Sequence, residues 1–333
     1  MKRLVFLLMC CVTFAGCGTQ GALLGTESSY LLTADDAISL PGRPVRLHAR
    51  LQAGDLLQGQ PGHVVRFYLA GHFYGAAMTG SSGVAEIEFV PERPGEYVFL
   101  VDVAPGGFPT APPRPEQCVV VCRPADAPLL VVDLDKTLVE SGFQEVLLGD
   151  PKPMPDSPRV MERLAEKYTV VYLTHRPDAL GTKSRRWLAA QGYPTGPLLL
   201  SDLGGFLAGS EKFKSSKLNE IQQDFRSLQL GIGDKITDAK AYHANGIRAY
   251  LIVMPWDFPS PSALRELAGE IQRELAPQVQ VVTGWKEVEQ GVFEGATFPP
   301  ARMVKMLEER AAALEKPAEP DNRPAPATQV TEQ

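Results

Sequence analysis

The sequence has little cysteine, and the few cysteines it has do not suggest a covalent or metal-bound framework. Five of its 333 residues are cysteine, and three of these, Cys10, Cys11 and Cys17, lie near the N-terminus. The other two, Cys118 and Cys122, flank a Val-Val-Val run. Along one strand they would lie about 13 Å apart, too far for a direct disulfide. Their spacing also matches no zinc-binding pattern, so we predict two buried apolar side chains.

Positive charge and long apolar runs are also scarce. The formal net charge is -6, from 33 Lys and Arg against 39 Asp and Glu. This balance argues against a general nucleic-acid binder. After residue 14 no segment holds 18 apolar residues without a charge, so no transmembrane helix is predicted there. A hydrophobic content of 44% and a charged content of 22% are ordinary for a globular protein.

The first residues are predicted to be an export signal. Lys2 and Arg3 form a basic start, and the apolar residues 4–14 are too few to span a membrane but suit a signal-peptide core. The run Phe14-Ala15-Gly16-Cys17 resembles the bacterial lipobox, which implies a lipoprotein signal peptide over residues 1–17 with Cys17 lipidated. A plain secretory signal is the alternative. We therefore expect an exported protein, anchored by lipid to a bacterial membrane on its periplasmic or outer face.

Residues 33–123 show the pattern of an all-β domain. Short segments rich in β-branched and aromatic residues alternate with turn clusters such as TGSSG and PERPG, and no helical periodicity separates them. The predicted strands cover residues 45–51, 63–71, 84–90, 96–103 and 117–123. We predict an immunoglobulin-like β-sandwich over 33–123, preceded by a linker over 18–32. No chemical constellation stands out in it, and its partner is left open.

From residue 126 onward the pattern changes to strands that alternate with helices. Strands are predicted at 129–135, 168–174, 198–202, 228–234 and 249–253, with helices near 157–167, 180–191, 215–226 and 237–245. This order predicts a doubly wound α/β domain with a parallel sheet over 126–286, whose functional groups gather at the carboxyl ends of the strands. A helical extension over 287–316 and a disordered tail over 317–333 complete the prediction.

Polar side chains stand at the ends of these predicted strands. The stretch LLVVDLDKT ends a buried strand with two carboxylates, which point the same way because side chains two apart share one face of an extended chain. Carboxylate pairs suit phosphoryl transfer, since Mg²⁺ prefers oxygen ligands and bridges carboxylate to phosphate. The candidate residues, in chain order, are Asp133, Asp135, Thr174, His175, Arg176, Lys214, Lys217, Asp234 and Asp238.

The order and placement of these residues resemble the haloacid dehalogenase (HAD) phosphohydrolase superfamily over about residues 129–253. The resemblance implies that Asp133 is a nucleophile that forms an aspartyl-phosphate. It implies that Asp135 protonates the leaving oxygen and later activates water. Thr174 would bind the phosphoryl oxygens, and a lysine would neutralise developing charge.

The same resemblance implies a Mg²⁺ cofactor. Asp133 and Asp234 would bind the ion with their carboxylates, and Asp238 would support it from the edge of the site. Asp135 would contribute its backbone carbonyl.

Two lysines compete for the catalytic role. Lys214, Leu218, Ile221 and Phe225 fall on one stripe at helical spacing, which directs Lys214 toward the end of the sheet. Lys217 lies off this stripe. We therefore predict Lys214 as the catalytic lysine and keep Lys217 as the alternative.

Four further side chains, Lys136, Thr137, His175 and Arg176, are predicted to contact substrate. Lys136 stands where the family often has glycine, so it either alters the turn or contacts substrate. His175 and Arg176 either bind the substrate phosphate or cap the following helix. The basic run over residues 183–186 is predicted to be a solvated helix face, with a headgroup contact as the alternative.

The intervals between these motifs are too short for a full cap domain, so the predicted site is open and favours a bulky substrate such as a lipid headgroup or a polymer end. Closer similarity is to the lipin-type phosphatidate phosphatases and the related C-terminal LNS2 domain of phosphatidylinositol-transfer proteins. It is carried by YLTHRPDALGTKSRRWLAAQGYPTGPLLLSD, EKFKSSKLNEI and GIGDKITDAKAYHANGI. It implies Mg²⁺-dependent removal of phosphate from phosphatidate or a related lipid at a membrane surface, near which a lipid anchor would hold the site.

Three alternatives to this activity stay open. The phosphatase half of polynucleotide kinases has a similar arginine-bearing helix, which allows a nucleic-acid 3′-phosphatase, although the negative charge and export signal weigh against it. A broad-specificity acid phosphatase is the second alternative. The third is a non-catalytic phosphatidate-binding module, because some relatives in lipid-transfer proteins lack the catalytic carboxylates. The presence of both Asp133 and Asp135 favours an enzyme.

Overall fold

The computed structural model describes residues 30–315, apart from 55, 110, 141–150, 203–205 and 207–208. A β-sandwich is followed along the chain by an α/β domain. The predicted signal peptide with Cys17, the predicted linker up to residue 29 and the predicted tail lie outside the described residues. Within the described ranges, the helices are all too short or too polar to cross a membrane.

The N-terminal domain consists of two facing sheets. In one sheet β3 pairs with β1, β4 and β7, and the other has the order β2-β9-β8-β5-β6, with β2 parallel to β9 and its other pairs antiparallel. The strands are β1 (Tyr30–Ala34), β2 (Ala37–Ser39), β3 (Val45–Ala53), β4 (Gln58–Gly59), β5 (Val64–Leu69), β6 (His72–Met78), β7 (Val84–Phe89), β8 (Gly95–Val103) and β9 (Glu116–Cys122).

Alternation along the strands builds the core of this sandwich. Leu47, Ala49 and Leu51 of β3 point inward, and Phe67 and Phe99 meet them from the other sheet. Side chains two apart share a face of a strand, so one apolar face of each sheet is removed from water. Each large apolar side chain buried in this way stabilises the fold by about 1.5–3 kcal/mol.

The two cysteines of β9 are buried in this domain. Cys118 and Cys122 are free thiols, which confirms that they are apolar core residues rather than a disulfide. Burial raises the pKa of the Cys118 thiol far above its usual value, so this sulfur stays protonated and unreactive.

The sequence pattern missed four strands of the sandwich, β1, β2, β4 and β6. β1 begins at Tyr30, inside the segment predicted as a linker. β2 and β4 are too short to show a period, and β6 reads HFYGAAM, in which glycine and alanine dilute the β-branched signal.

The second domain is built on six parallel strands in the order β12-β11-β10-β13-β14-β15. The strands are β10 (Leu129–Val132), β11 (Thr169–Pro177), β12 (Leu198–Ser201), β13 (Leu228–Gly233), β14 (Arg248–Ile252) and β15 (Gln280–Val282). The helices are α1 (Ser157–Ala165), α2 (Gly181–Ala190), α3 (Ser210–Asp224), α4 (Ile236–Ala244), α5 (Pro261–Glu274), α6 (Trp285–Glu289) and α7 (Pro300–Glu315). The predicted fold class, a β-sandwich followed by an α/β domain with a parallel sheet, is confirmed.

Both faces of the parallel sheet are covered by helices. Leu129 and Val131 of β10 face a layer formed by α3, α4, α5 and α7. Leu130 and Val132 face the other layer, which includes α1, α2 and α6. All four residues are fully buried, as expected for a central parallel strand. The carboxyl end of this strand is therefore the open edge at which a polar site forms.

Neither interval flanking the central motifs contains a cap domain in the part of the chain that the structure describes. After β10 the chain forms a turn, and an isolated bridge joins Val139 to Pro153 before α1. Between β11 and α3 the chain forms α2 and β12, which belong to the core.

The packing of α4 against β13 requires glycine at position 231. A Cβ at Gly231 would overlap the ring of the fully buried Tyr242. We expect Gly231→Ala to lower the free energy of unfolding by about 1–3 kcal/mol, because the ring has no free space to move into. Urea unfolding followed by circular dichroism measures this loss.

Gly269→Ala is the matched control for this substitution. Gly269 lies inside α5, and an added Cβ there would meet no atom within 4 Å. Alanine should raise the free energy of unfolding by about 0.5–1 kcal/mol through its higher helix propensity. Equal effects of the two substitutions would contradict the packing explanation.

Candidate active site

Asp133 follows β10 directly and is held by the backbone on both sides. Its N–H donates to the carbonyl of Ile232 at 3.0 Å, which continues the pairing of β10 with β13. Its carboxylate Oδ1 accepts the N–H of Leu134 at 2.8 Å. The side chain is 2% exposed, so its orientation at the strand end is well defined.

Lys214 places its ammonium group between two carboxylates. Its Nζ lies 2.8 Å from Oδ2 of Asp133 and 2.7 Å from Oδ2 of Asp238. Burial lowers the pKa of Lys214, but the two carboxylates outweigh it and raise the pKa above its usual value. The lysine is therefore a fixed positive charge at the centre of the site.

The structure separates the two candidate lysines. Lys214 lies in the first turns of α3 on its buried stripe, with Phe213, Leu218 and Ile221. The side chain of Lys217 is 36% exposed and pairs with Glu220 at 2.8 Å. Of the two, Lys214 is the one that contacts the predicted nucleophile.

Three carboxylates converge beside this lysine. Asp234 follows β13, Asp238 lies in the first turn of α4, and their oxygens and those of Asp133 lie within 4.8 Å of one another. Oδ1 of Asp234 and Oδ1 of Asp238 are buried and find no hydrogen-bond partner among the described residues. Oxygen donors of this kind, with unused lone pairs and excess negative charge, fit a hard divalent cation such as Mg²⁺.

Glycine at position 233 permits this convergence. A Cβ at Gly233 would come within 2.8 Å of Oδ2 of Asp238. The glycine before Asp234 therefore lets α4 begin close enough to the strand for Asp238 to reach Lys214. This requirement gives a physical reason for the GIGD stretch.

The crowding of negative charge alters the titration of Asp234. Burial, followed by the charges of Asp133 and Asp238, raises its pKa to about 7. Burial likewise raises the pKa of Asp238, against the opposing charge of Lys214. Both groups are less acidic than exposed aspartates because they are buried beside other carboxylates.

Asp135 lies outside this group of three carboxylates and is held by an arginine. The guanidinium of Arg176 donates from Nε to Oδ2 at 3.0 Å and from Nη2 to Oδ1 at 2.7 Å. The Arg176 side chain is 1% exposed. Arg176 was predicted to bind substrate, whereas the structure places its guanidinium on Asp135. The predicted metal contact of the Asp135 carbonyl stays a prediction.

Two threonine hydroxyls, one in the turn after β10 and one in β11, are buried without a hydrogen-bond partner among the described residues. Oγ1 of Thr137 and Oγ1 of Thr174 have no partner in the described part of the chain, and both residues are at most 1% exposed. Buried hydroxyls are nearly always hydrogen-bonded. Their free capacity is what the predicted phosphoryl contacts require.

His175 and Lys136 lie at the margins of the site. The His175 ring stacks on Phe206 with centroids 5.0 Å apart and planes 9° apart. Lys136 is exposed and has φ of 54°, in the left-handed region where glycine is usual. The lysine thus keeps the glycine-like backbone of this turn while it presents an ammonium group to solvent.

The basic run on α2 was predicted to be a solvated helix face, and this is wrong for its central residues. Ser184 is 1% exposed, and its Oγ accepts a hydrogen bond from Nη1 of Arg176 at 2.9 Å. Arg185 pairs with Asp36 of the β-sandwich at 3.3 Å. The prediction failed because Ser184 packs on Arg176 of β11 and Arg185 is covered by the β-sandwich.

The second domain combines a six-stranded parallel sheet with a group of carboxylates at the carboxyl ends of its strands. Residues 130–253 match the family model described as "PITM 1-3, LNS2 domain". This match supports a lipin/LNS2-like phosphatase domain, and it covers the strands and helices that carry every candidate residue from Asp133 to Asp238. A comparison with curated proteins gives no match.

The β-sandwich has immunoglobulin-like and fibronectin-like structural neighbours. The fibronectin(III)-like modules of Clostridium thermocellum CbhA are 11% identical and align over 28% of this chain and 96% of theirs, with a TM-score of 0.21. A CARDB domain from Pyrococcus furiosus is 17% identical over 28% of this chain and 90% of its own, with a TM-score of 0.21. The titin M3 domain is 9% identical over 28% of this chain and 96% of its own, with a TM-score of 0.20. Likeness at this level carries no conclusion about function.

Replacement of Asp234 by asparagine should stabilise the metal-free protein at high pH. The carboxyl has a pKa of about 7 when folded and 3.8 as its ordinary value. Between these values the folded state binds more protons, so wild-type stability falls as pH rises through the window. In EDTA at pH 8 we expect Asp234→Asn to unfold with a free energy on the order of 2–4 kcal/mol higher.

Urea unfolding at several pH values measures this difference, which should vanish below pH 3.8. The exposed Asp257 supplies the control substitution Asp257→Asn. A gain for Asp234→Asn that is the same at pH 4 and pH 8 would show that charge repulsion is not its cause.

The left-handed backbone at Lys136 predicts that glycine is more stable than lysine at this position. Lys136→Gly should raise the free energy of unfolding by about 0.5–1 kcal/mol, because a side chain costs about 1–2 kcal/mol in this region and glycine loses part of that gain as chain entropy. Thermal unfolding tests it. Lys152 is also exposed but lacks a positive φ, so Lys152→Gly should destabilise instead. A loss of stability in both variants would contradict the strain at position 136.

Proposed function

We propose that this protein is a Mg²⁺-dependent phosphomonoester hydrolase that removes phosphate from phosphatidate or a related lipid phosphate. One observation carries the proposal. The buried Asp133 carboxylate contacts Lys214 and lies within 4.8 Å of two further carboxylates whose outer oxygens have no partner among the described residues. A buried nucleophile beside a fixed cation and unused oxygen ligands is what attack on an anionic phosphoryl group requires.

Asp133 is the nucleophile in the proposed reaction. One carboxylate oxygen forms a bond to phosphorus while the bond from phosphorus to the ester oxygen breaks, which gives an aspartyl-phosphate and an alkoxide. Asp135, in its acid form, donates its proton to that departing oxygen and so releases the alcohol. Asp135 then removes a proton from water as the water oxygen attacks phosphorus. This step breaks the acyl phosphate bond and restores the Asp133 carboxylate.

The remaining residues stabilise charge in this reaction. Lys214 neutralises the charge that develops on the phosphoryl oxygens, and the free hydroxyls of Thr137 and Thr174 donate hydrogen bonds to the same oxygens. Asp133, Asp234 and Asp238 would hold the divalent cation, which when bound supplies the positive charge that lets a carboxylate approach a phosphate.

An apolar groove supports the choice of a lipid substrate. A cavity of about 190 Å³ lies at the carboxyl ends of β14 and β15, with Met154, Met254, Trp256 and Trp285 among its lining residues. Trp285 donates from Nε1 to the carbonyl of Thr137 at 2.7 Å, so the groove and the site share a wall. Trp256 is 56% exposed, and tryptophan favours the membrane interface.

The short motif intervals support the same substrate class. Among the described residues neither interval adds a cap domain, and we infer access for a headgroup that carries acyl chains. In the proposed setting, a lipidated Cys17 would hold the exported protein at the membrane that contains its substrate. Confinement to that surface would raise the effective substrate concentration.

Phosphate release from phosphatidate in mixed micelles tests the proposal. We expect release by the wild type in Mg²⁺ and none in EDTA. Asp133→Asn should lower kcat roughly 10³-fold or more, because the attacking oxygen is lost. The exposed Asp126, upstream of β10, supplies the control variant Asp126→Asn, which should keep full activity.

Other outcomes would redirect the proposal. Release from para-nitrophenyl phosphate without release from phosphatidate would keep the chemistry and reject the lipid substrate, in favour of a broad-specificity phosphatase. Release from an oligonucleotide 3′-phosphate alone would support a polynucleotide phosphatase. Binding of phosphatidate vesicles with no hydrolysis of any ester would identify a binding module.

A further inference from the structure

We propose that the β-sandwich positions the acid–base carboxylate of the active site. In this inference, which rests on the proposed function, Asp36 of the sandwich holds α2 through Arg185. Ser184 of α2 then holds Arg176, and Arg176 orients Asp135. Asp36, Ser184 and Arg185 are positioning residues, since they act through Arg176, which is the one of the four that contacts the acid–base carboxylate.

The first link is a buried carboxylate shared by the two domains. Asp36 lies between β1 and β2 of the sandwich, and its side chain is 0% exposed. Its Oδ1 accepts the N–H of Val119 at 2.8 Å within the sandwich. Its Oδ2 accepts the N–H of Leu198, the first residue of β12, at 2.9 Å. Since a buried carboxylate needs such partners, Asp36 fixes the distance between the domains.

Arg185 joins this carboxylate to α2. Its Nη1 lies 3.3 Å from Oδ1 of Asp36, and its Nη2 donates to the carbonyl of Ala34 at 3.2 Å. Glu116 of β9 lies 3.8 Å from the same guanidinium. Three groups of the sandwich therefore hold one arginine of α2, which sets both the position and the rotation of that helix.

Ser184 transmits the rotation of α2 to Arg176. It precedes Arg185 in the helix, and its Oγ lies 2.9 Å from Nη1 of Arg176. The other two donors of the guanidinium, Nε and Nη2, form the two hydrogen bonds to Asp135. All three nitrogens of the planar guanidinium are therefore bonded, which keeps the group in a single orientation. The Asp135 carboxylate accepts two of these hydrogen bonds, so its orientation is fixed as well.

This orientation matters for the steps in which Asp135 gives or takes a proton. Asp135 must reach the leaving oxygen, and a misplacement of about 1 Å costs roughly 10²-fold in rate. The nucleophile Asp133 is held separately, by Lys214 and by the backbone of Leu134. A loosened α2 should therefore impair proton transfer to the leaving group and spare the attack on phosphorus.

Two substrates separate proton transfer from attack. A short-chain phosphatidate such as the dioctanoyl form releases an alkoxide that needs a proton, whereas 2,4-dinitrophenyl phosphate releases a stable phenolate that does not. For Arg185→Met we expect kcat/KM on dioctanoyl phosphatidate to fall about 10–100-fold. The value of kcat/KM on the dinitrophenyl ester should stay within about 3-fold of the wild type, because it covers only the steps up to release of the phenolate, and attack by Asp133 needs no acid there.

A rescue variant and a matched control complete the test. Arg185→Lys keeps the charge toward Asp36 and should restore most of the lost kcat/KM on dioctanoyl phosphatidate. Arg123 also joins the two domains, through Thr169 at 3.2 Å, at the start of β11 and far along the sheet from the catalytic end. Arg123→Met should weaken the interface without a difference between the two substrates. An equal loss on both esters in Arg185→Met, or a matching pattern in Arg123→Met, would overturn the inference.

Amide hydrogen exchange tests the docking of α2 without any measurement of activity. If the wild type hydrolyses neither ester, the proposed function has failed, and amide protection in the full-length chain still reports on the docking of α2. We expect residues 181–190 to exchange faster in Arg185→Met than in Arg123→Met. Unchanged protection of these amides would show that Arg185 does not hold the helix, and would overturn the inference whatever the activity.

Discussion

The arrangement of the site depends on one buried ammonium group. Lys214 lies between the carboxylates of Asp133 and Asp238, and it is 1% exposed. A buried charge without partners is strongly unfavourable, and so is a cluster of buried carboxylates without a cation. The buried lysine and the buried carboxylates therefore stabilise each other. The mutual requirement explains why α3 begins early enough to bring Lys214 to the sheet, and why Gly233 leaves room for Asp238.

The two carboxylates of the DLD stretch are held by different helix layers. The layer that contains α3 and α4 supplies the partner of Asp133, and the layer that contains α2 packs against the arginine that binds Asp135. A lysine is a point charge that leaves its carboxylate free to bond elsewhere, whereas a guanidinium fixes both oxygens of a carboxylate at once. The difference leaves the nucleophile free to react on one side and fixes the orientation of the second carboxylate on the other.

The site residues that could be predicted from the sequence are those that follow an apolar strand or lie on the apolar stripe of a helix. Asp133, Thr174 and Asp234 each follow a recognisable apolar run, and Lys214 follows from the helical stripe it shares with Leu218. The contacts of Arg176 and Arg185 were not predictable in the same way, because their partners lie 41 and 149 positions away along the chain. A basic run on a helix does not indicate which distant carboxylate will pair with it. The early start of α3 at Ser210 was missed for a related reason, since its first turn is polar.

The hydrogen bond from Leu198 to Asp36 has a consequence for the assembly of the chain. β12 is an edge strand of the six-stranded sheet, and an open edge is a template for pairing with another molecule. Asp36 accepts the first N–H of that edge, so this donor is not available to an intruding strand. The sandwich therefore shields the α/β domain from edge-to-edge aggregation. A fragment cut at the domain boundary would expose the β12 edge and would be prone to self-association even if its core folded correctly.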